Sequence, residues 1–170
     1  WTTPATRDLC GIMLPDSAHQ QEHDARRWNR GREARRGAPG RVQPLYGQDD
    51  VQAVLRQFRP LAYQRPTPIA DGVSLTFHDA GHILGSSLVV LDVEEAGARR
   101  RLVFTGDVGN WPAPLLRDPE PLDQADVLLL ESTYGDRDHR TRGDTVDELA
   151  GILARARTDG GKVLVPAFAV

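Results

Sequence analysis

The sequence contains a single cysteine, Cys10, among its 170 residues. One cysteine excludes an intrachain disulfide and any zinc site built from several cysteines, and it agrees with a reducing, cytoplasmic location. No apolar run approaches the roughly 20 residues that span a bilayer, so no membrane partner is expected. Lysine is nearly absent as well, since Lys162 is the only lysine among the 21 basic residues.

Charge is distributed unevenly along the chain. The formal net charge is −3, so there is no global basic field to attract nucleic acid. A cluster of arginines between residues 26 and 41 indicates either a phosphate-contacting patch or a solvated loop. Both interpretations stay open, because an excess of arginine over lysine also arises from genomic base composition. The cluster consists of Arg26, Arg27, Arg30, Arg32, Arg35, Arg36 and Arg41.

The first third of the chain has the pattern of two helices. Thr3-Pro4 is typical of a helix start, with threonine as N-cap and proline in the first helical position. The helix is predicted to run to Trp28, and the glycines and prolines from Gly31 onward are predicted to end it. Asp49 or Asp50 is predicted to cap the second helix.

From residue 71 onward the apolar period changes to two, which is typical of half-buried strands. Three such strands joined by tight turns predict antiparallel pairing. The apolar run at residues 127–130 predicts a strand buried on both faces. A helix over residues 144–157, ended by Gly160, and an apolar strand over residues 163–168 complete a predicted parallel crossover. The three alternating strands cover residues 73–77, 88–93 and 101–105.

Two short motifs combine a candidate metal ligand with flanking glycines. His82 lies in the glycine-flanked loop 81–85 between two predicted strands, where glycine allows the backbone to turn tightly. Asp107 follows an apolar strand and lies between two glycines, at a strand end that holds a carboxylate rigidly. Each motif has an ordinary structural alternative, namely an exposed loop histidine and an aspartate that caps a turn.

Two further motifs contain acidic residues. Glu131 directly follows the apolar run, where an acid is costly unless it is paired or functional; a cap at the sheet edge is the alternative. His19, Glu22 and His23 form H-x-x-E-H, the inverted zincin signature. Matches of five residues arise by chance and no third ligand follows downstream, so a polar helix face is favoured there. His78 is expected to be structural or exposed.

Four segments taken together resemble, in order and spacing, metallo-β-lactamase-fold nucleases of the β-CASP type. That family includes bacterial ribonucleases and the pre-mRNA 3′-end cleavage endonuclease. The resemblance covers nearly the whole chain and is weakest in the arginine-rich stretch. The segments are Ala80-Gly81-His82-Ile83-Leu84-Gly85-Ser86, Thr105-Gly106-Asp107, Glu131-Ser132-Thr133-Tyr134-Gly135 and Lys162-Val163-Leu164-Val165-Pro166-Ala167-Phe168-Ala169.

The resemblance implies an α/β fold, a partial αββα metallo-β-lactamase fold with a mixed sheet and flanking helices. Residues 1–135 would belong to the metallo-β-lactamase domain, and residues 136–170 would begin the β-CASP domain. His82 and Asp107 are implied metal ligands, with Asp107 bridging two zinc ions (Zn²⁺). Asp107 and Glu131 are the implied catalytic residues. The implied reaction is zinc-dependent hydrolysis of RNA phosphodiester bonds, with RNA as the partner.

The family's principal metal motif, His-x-His-x-Asp-His, does not occur in this sequence. The resemblance puts it before Trp1, and it puts the later β-CASP histidines after Val170. Trp1 in place of methionine and the apolar C-terminal segment also predict an internal fragment. Because a catalytic zinc ion needs at least three protein ligands, we expect the chain alone to bind zinc poorly and to be inactive.

Three alternatives remain at this stage. One is a metallo-β-lactamase-fold hydrolase of small esters or thioesters, against which the Glu131 motif and the segment at residues 162–169 argue. Another is a catalytically inactive scaffold paralogue, which would be expected to lose ligands, whereas His82 and Asp107 are both present. DNA in place of RNA is the third, because no 2′-hydroxyl contacts can be located from the sequence. The oligomeric state, including a homodimer, also stays open.

Overall fold

A computed structural model describes residues 1–33 and 40–167 of the chain. The chain divides into two compact units, Trp1–Glu131 and Ser132–Val170, while the predicted domain boundary after residue 135 stays a prediction. None of the helices in the described part of the chain is long and apolar enough to cross a bilayer. The elements are α1 (Pro4–Glu33), α2 (Gln48–Leu55), β1 (Thr67–Ala70), β2 (Val73–Asp79), β3 (Ser87–Glu95), β4 (Ala98–Phe104), β5 (Val127–Leu129) and α3 (Arg142–Asp159).

Helix α1 begins where the sequence predicts. The Thr3 hydroxyl accepts a hydrogen bond at 3.2 Å from the backbone N–H three residues later, and Pro4 is the first helical residue. The predicted end was wrong, because α1 passes through Gly31 and continues to Glu33. A single glycine costs a helix only about 1 kcal/mol, which is too little to end a long one. The predicted breakers at residues 37 and 39 lie outside the described residues.

Helix α2 is capped by Gly47, so the predicted cap at Asp49 or Asp50 was wrong. The Asp50 carboxylate instead accepts a hydrogen bond from the Gly47 backbone N–H at 2.9 Å. The Glu22 carboxylate of α1 accepts one from the Gln48 backbone N–H at 3.1 Å. With Glu22 supplying this acceptor from another helix, α2 starts earlier than its own acids predict.

The five strands form one mixed sheet in the order β1-β2-β3-β4-β5. β1 to β4 pair antiparallel, which confirms the antiparallel pairing predicted for β2, β3 and β4, and β5 pairs parallel to β4. Pairs such as Phe77–Val89 and Val90–Val103 set the register, and all of these except Val89 are buried. The sequence did not predict β1, because four residues containing Pro68 are too short for a clear alternation. The predicted α/β class with a mixed sheet is confirmed.

Strand β5 differs from its prediction in burial. Its three residues are about half exposed, at 47% for Val127, 55% for Leu128 and 49% for Leu129, so the prediction of a strand buried on both faces was wrong. β5 is the last strand of the sheet, with β4 as its neighbour. An apolar run is typical of buried strands, but it does not determine what covers them.

The second unit contains α3. It begins two residues before the predicted residue 144, and Thr141 caps its start by accepting a hydrogen bond from the Asp144 backbone N–H at 3.1 Å. Gly160, in the left-handed conformation, ends the helix at the predicted position. The predicted strand over residues 163–168 was wrong over its described part, because residues 163–167 have no regular structure and Leu164 is 89% exposed. The predicted parallel crossover is therefore absent from residues 127–167. A strand requires a hydrogen-bonded neighbour, which an apolar pattern cannot supply.

Candidate metal centre

Three strands of the sheet end at the same edge. β2 and β4 run in the same direction, because both are antiparallel to β3, and β5 is parallel to β4. The segments that follow these strands therefore leave the sheet at one edge. His82 lies in the segment after β2 (residues 80–86, the histidine loop). Asp107 lies in the segment after β4 (residues 105–126, the aspartate loop), and Glu131 follows β5.

The two predicted metal ligands lie next to each other. The Nε2 atom of His82 is 3.8 Å from the Oδ2 atom of Asp107. Their side chains are 42% and 71% exposed, so a ligand can reach both from solvent. An imidazole nitrogen and a carboxylate oxygen are donors that Zn²⁺ accepts. The structure thus brings the two side chains together, and their binding of a metal stays a prediction.

The approach of the two loops depends on glycine. The Gly109 backbone N–H donates a hydrogen bond to the Ala80 carbonyl at 2.8 Å. A Cβ atom on Gly109 would lie 1.9 Å from the Gly81 carbonyl oxygen, a distance that real Cβ atoms essentially never show. Gly81 itself has a φ of +63°, which favours glycine. Glycine at both positions therefore allows the backbones of the two loops to touch.

Hydroxyl groups hold the histidine loop in shape. The Ser86 Oγ accepts hydrogen bonds from the backbone N–H groups of His82 at 3.1 Å and of Ile83 at 3.3 Å. The hydroxyls of Thr3 and Thr6, at the start of α1, donate to the Gly85 carbonyl at 2.8 and 3.0 Å. In the sequence, Thr3 indicates only a helix start, and no pattern indicates the contact of Thr3 and Thr6 with the loop.

Glu131 supports the aspartate loop. Its Oε1 atom accepts a hydrogen bond at 2.7 Å from the backbone N–H of Val108, the residue after Asp107. Its backbone N–H donates to the Thr105 hydroxyl at 3.2 Å. Glu131 is therefore joined to the chain on both sides of Asp107. This geometry fits a residue that orients a ligand, and its catalytic role stays a prediction.

The H-x-x-E-H motif lies on α1 and serves helix packing. Glu22 accepts the hydrogen bond from α2 described above and lies 3.6 Å from Arg26. Among residues 1–33 and 40–167, no group of three or more histidine, cysteine, aspartate or glutamate residues could hold a metal ion. The polar helix face favoured for His19 and His23 agrees with this arrangement. The arginine-rich stretch includes residues 34–39, which lie outside the described residues, so its role stays a prediction.

A histidine–carboxylate pair that the sequence did not predict joins the end of β2 to the aspartate loop. The Nδ1 atom of His78 and the Oε2 atom of Glu120 are 2.8 Å apart, and Gln64 Nε2 donates to Glu120 Oε1 at 2.8 Å. Burial disfavours the charged form of Glu120, but the hydrogen bonds from Gln64 and His78 outweigh this effect and lower its pKa. Since an ionised carboxylate only accepts hydrogen bonds, Nδ1 of His78 carries the proton.

A cavity of about 270 Å³ lies beside this pair and away from His82 and Asp107. Its wall includes His78, Asp92 and Arg101. The Arg101 guanidinium donates two hydrogen bonds of 2.9 Å to the two oxygens of Asp92, and these lower the pKa of that carboxyl group. The opposite charges of Asp92 and Arg101 therefore neutralise each other in the cavity wall. Neither His82 nor Asp107 lines the cavity, so the cavity is not part of the candidate metal centre.

Known proteins resemble this chain over most of its length. A ribonuclease of Thermus thermophilus is 43% identical over 128 residues, which are 75% of this chain and 28% of the relative. The transcription termination factor FttA of Thermococcus kodakarensis is 32% identical over 173 residues, or 100% of this chain and 24% of the relative. An RNase J-like protein of Methanocaldococcus jannaschii is 31% identical over 128 residues, or 74% and 30%. No protein-family model matches.

The mixed sheet and the two loops at its edge define an α/β chain of the metallo-β-lactamase type. Within that type, the chain belongs to the β-CASP family that its motifs resemble. It spans between 24% and 30% of the length of the three relatives described above.

Proposed function

We propose that the protein is a zinc-dependent ribonuclease that hydrolyses RNA phosphodiester bonds, with His82 and Asp107 as zinc ligands. The observation that carries the proposal is the 3.8 Å separation of His82 Nε2 and Asp107 Oδ2 at the edge of the sheet. The ribonuclease names of two relatives support a nuclease activity. The action on RNA is also consistent with the transcription termination named in a third.

The donor set fits zinc as part of a site. Imidazole nitrogen and carboxylate oxygen are ordinary zinc donors, but a catalytic zinc ion takes at least three protein ligands. In this proposal the other ligands come from the part of the relatives' length that the chain does not span. Zinc, when bound, would supply Lewis-acid stabilisation of charge on the phosphate and would lower the pKa of water.

The chain's own residues have three tasks in this proposal. His82 and Asp107 present donors that are open to solvent, so an extended polymer can approach them. Glu131 orients the aspartate loop through the backbone N–H of Val108. The hydroxyls that bind the histidine loop keep His82 in place, because a rigid site avoids reorganisation when its ligand arrives. The cytoplasmic location and a homodimer stay predictions.

The proposal can be tested by RNA cleavage with the full-length protein. We expect a 5′-labelled RNA to be cut, a chelator to stop cleavage, and added Zn²⁺ to restore it. Replacing His82 or Asp107 by alanine should remove cleavage and lower the zinc content. His23→Ala is the matched control, since it removes a histidine of the H-x-x-E-H motif from an exposed helix position, and it should leave both measurements unchanged.

Other outcomes would contradict the metal assignment or favour a different function. Cleavage that persists without zinc, or in His82→Ala, would contradict the metal assignment. Hydrolysis of small esters or thioesters without RNA cleavage would favour the small-molecule hydrolase. Equal rates on RNA and on DNA of the same sequence would show that the 2′-hydroxyl is not read. Zinc bound without any hydrolysis would favour the scaffold.

A further inference from the structure

We propose that His78 and Glu120 form a latch that positions the histidine loop against the aspartate loop, and thereby fixes the spacing of His82 and Asp107. His78 lies near the end of β2, four residues before His82, and Glu120 lies in the middle of the aspartate loop. Positioning of the loops follows from the contacts of the latch, whereas its effect on zinc rests on the proposed function.

The latch connects the end of β2, directly before the histidine loop, to the aspartate loop through side chain and backbone together. The Glu120 backbone N–H donates to the Asp79 carbonyl at 2.9 Å, next to the side-chain contact of 2.8 Å with His78. A Cβ on Gly81 would meet the Arg117 carbonyl at 2.7 Å, so the segment before Glu120 packs directly against the histidine loop. The latch therefore acts on the backbone beside His82.

Glu120 holds the part of the aspartate loop that lies between its two anchored ends. The aspartate loop is held at its start by the hydrogen bond from Val108 to Glu131, and at its end by the one from Asp126 to the Arg101 carbonyl. Glu120 holds the long stretch between these anchors. Its side chain and that of His78 are only 20% and 24% exposed, so water competes weakly for their hydrogen bond.

The latch would affect metal binding by positioning His82 and Asp107, and not by contacting the metal itself. Residues that orient metal ligands commonly change metal affinity by about 10- to 100-fold when they are removed. His82 and Asp107 are both open to solvent, so few neighbouring side chains restrain them and the backbone under them determines their separation. Loss of the latch should therefore lower zinc affinity more than an equal loss of stability elsewhere would.

The test compares three variants of the full-length protein. Glu120→Ala removes the acceptor, Glu120→Gln keeps an acceptor for His78 Nδ1, and Asp92→Asn is the control. Asp92→Asn weakens a charged side-chain pair between β3 and β4. Arg101 contacts the aspartate loop through its backbone, at Asp126, the far end of that loop from Asp107. Zinc affinity is measured by competition with a chromophoric chelator, and hydrogen exchange of the Gly109 amide is measured without metal.

We expect Glu120→Ala to weaken zinc binding by about 10- to 100-fold and to speed exchange of the Gly109 amide, and we expect Glu120→Gln to recover part of both. Asp92→Asn should lower the thermal midpoint without either change. Zinc affinity in Glu120→Ala that equals that of Asp92→Asn overturns the proposal. Wild-type protein without bound zinc contradicts the proposed function instead; the latch is then decided by Gly109 exchange, and unchanged exchange overturns it.

Discussion

Replacing Gly109 by alanine should push the two loops of the candidate metal centre apart. The added Cβ would lie 1.9 Å from the Gly81 carbonyl oxygen and 2.9 Å from the His82 backbone nitrogen, where contacts under 3.0 Å essentially never occur. The obstacle is backbone, so it cannot rotate away as a side chain would. One loop therefore has to move by about 1 Å relative to the other.

Such a movement has two measurable consequences. The hydrogen bond from Gly109 to the Ala80 carbonyl, 2.8 Å long, would be stretched beyond hydrogen-bonding range. With the strain of overpacking, we expect the free energy of unfolding to fall by about 2 kcal/mol. A displacement of this size at the reacting groups should also lower the rate of RNA cleavage by about 100-fold.

The assay measures urea unfolding and RNA cleavage for Gly109→Ala beside Gly11→Ala. The control makes the same substitution in α1, where a Cβ would meet nothing within 4 Å. It should gain up to about 1 kcal/mol, since alanine favours a helix. If Gly109→Ala matches Gly11→Ala in both stability and cleavage, the contact between the two loops does not hold the site, and the reasoning is refuted.

Four further predictions follow from other contacts. Asp107→Ala should abolish RNA cleavage and change the free energy of unfolding by less than about 0.5 kcal/mol, because the side chain is 71% exposed; normal cleavage would contradict its role. Glu131→Ala should cost about 1.5–3 kcal/mol in urea unfolding, because it removes the charged acceptor of the Val108 N–H, and Glu131→Gln should keep most of that stability. Folding lowers the pKa of Asp92 from 3.8, so the folded state binds fewer protons than the unfolded state. This contribution is present above about pH 4 and is lost as the pH falls further; urea titrations should show a shallower acid loss in Asp92→Asn, and an unchanged slope would contradict the ion pair. Thr141→Ala should destabilise α3 by about 1 kcal/mol, detected as loss of helical circular dichroism at a lower temperature, while Thr141→Ser should not.

The parts of the fold that local pattern determines could be predicted from the sequence. The alternating residues 73–77 form a strand as predicted, although Thr76 is buried together with Leu75 and Phe77, so the strand is not half-buried there. Gly160 takes the left-handed conformation that ends a helix. The errors arose where another part of the chain decides the outcome. The cap of α2 depends on Glu22 from α1, and the apolar residues 163–167 have no strand neighbour in the described structure.

The candidate site was predictable only in part. Glycines around His82 and Asp107 indicate loops that turn tightly, but their separation depends on the contact between Gly81 and Gly109, which spacing does not reveal. His78 and Glu120 are 42 residues apart in the sequence, and no motif around either residue indicates that the two side chains pair. Long-range pairs of this kind follow from strand order, which brings the ends of β2 and β4 to one edge.

Zinc binding by His82 and Asp107 in an RNA-cleaving enzyme can be measured in a crystal structure of the full-length protein, with anomalous scattering recorded at the zinc edge. We expect a zinc peak about 2.0–2.2 Å from His82 Nε2 and from an Asp107 carboxylate oxygen. Zinc bound elsewhere, or no zinc peak beside these two side chains in protein that cleaves RNA, would contradict it.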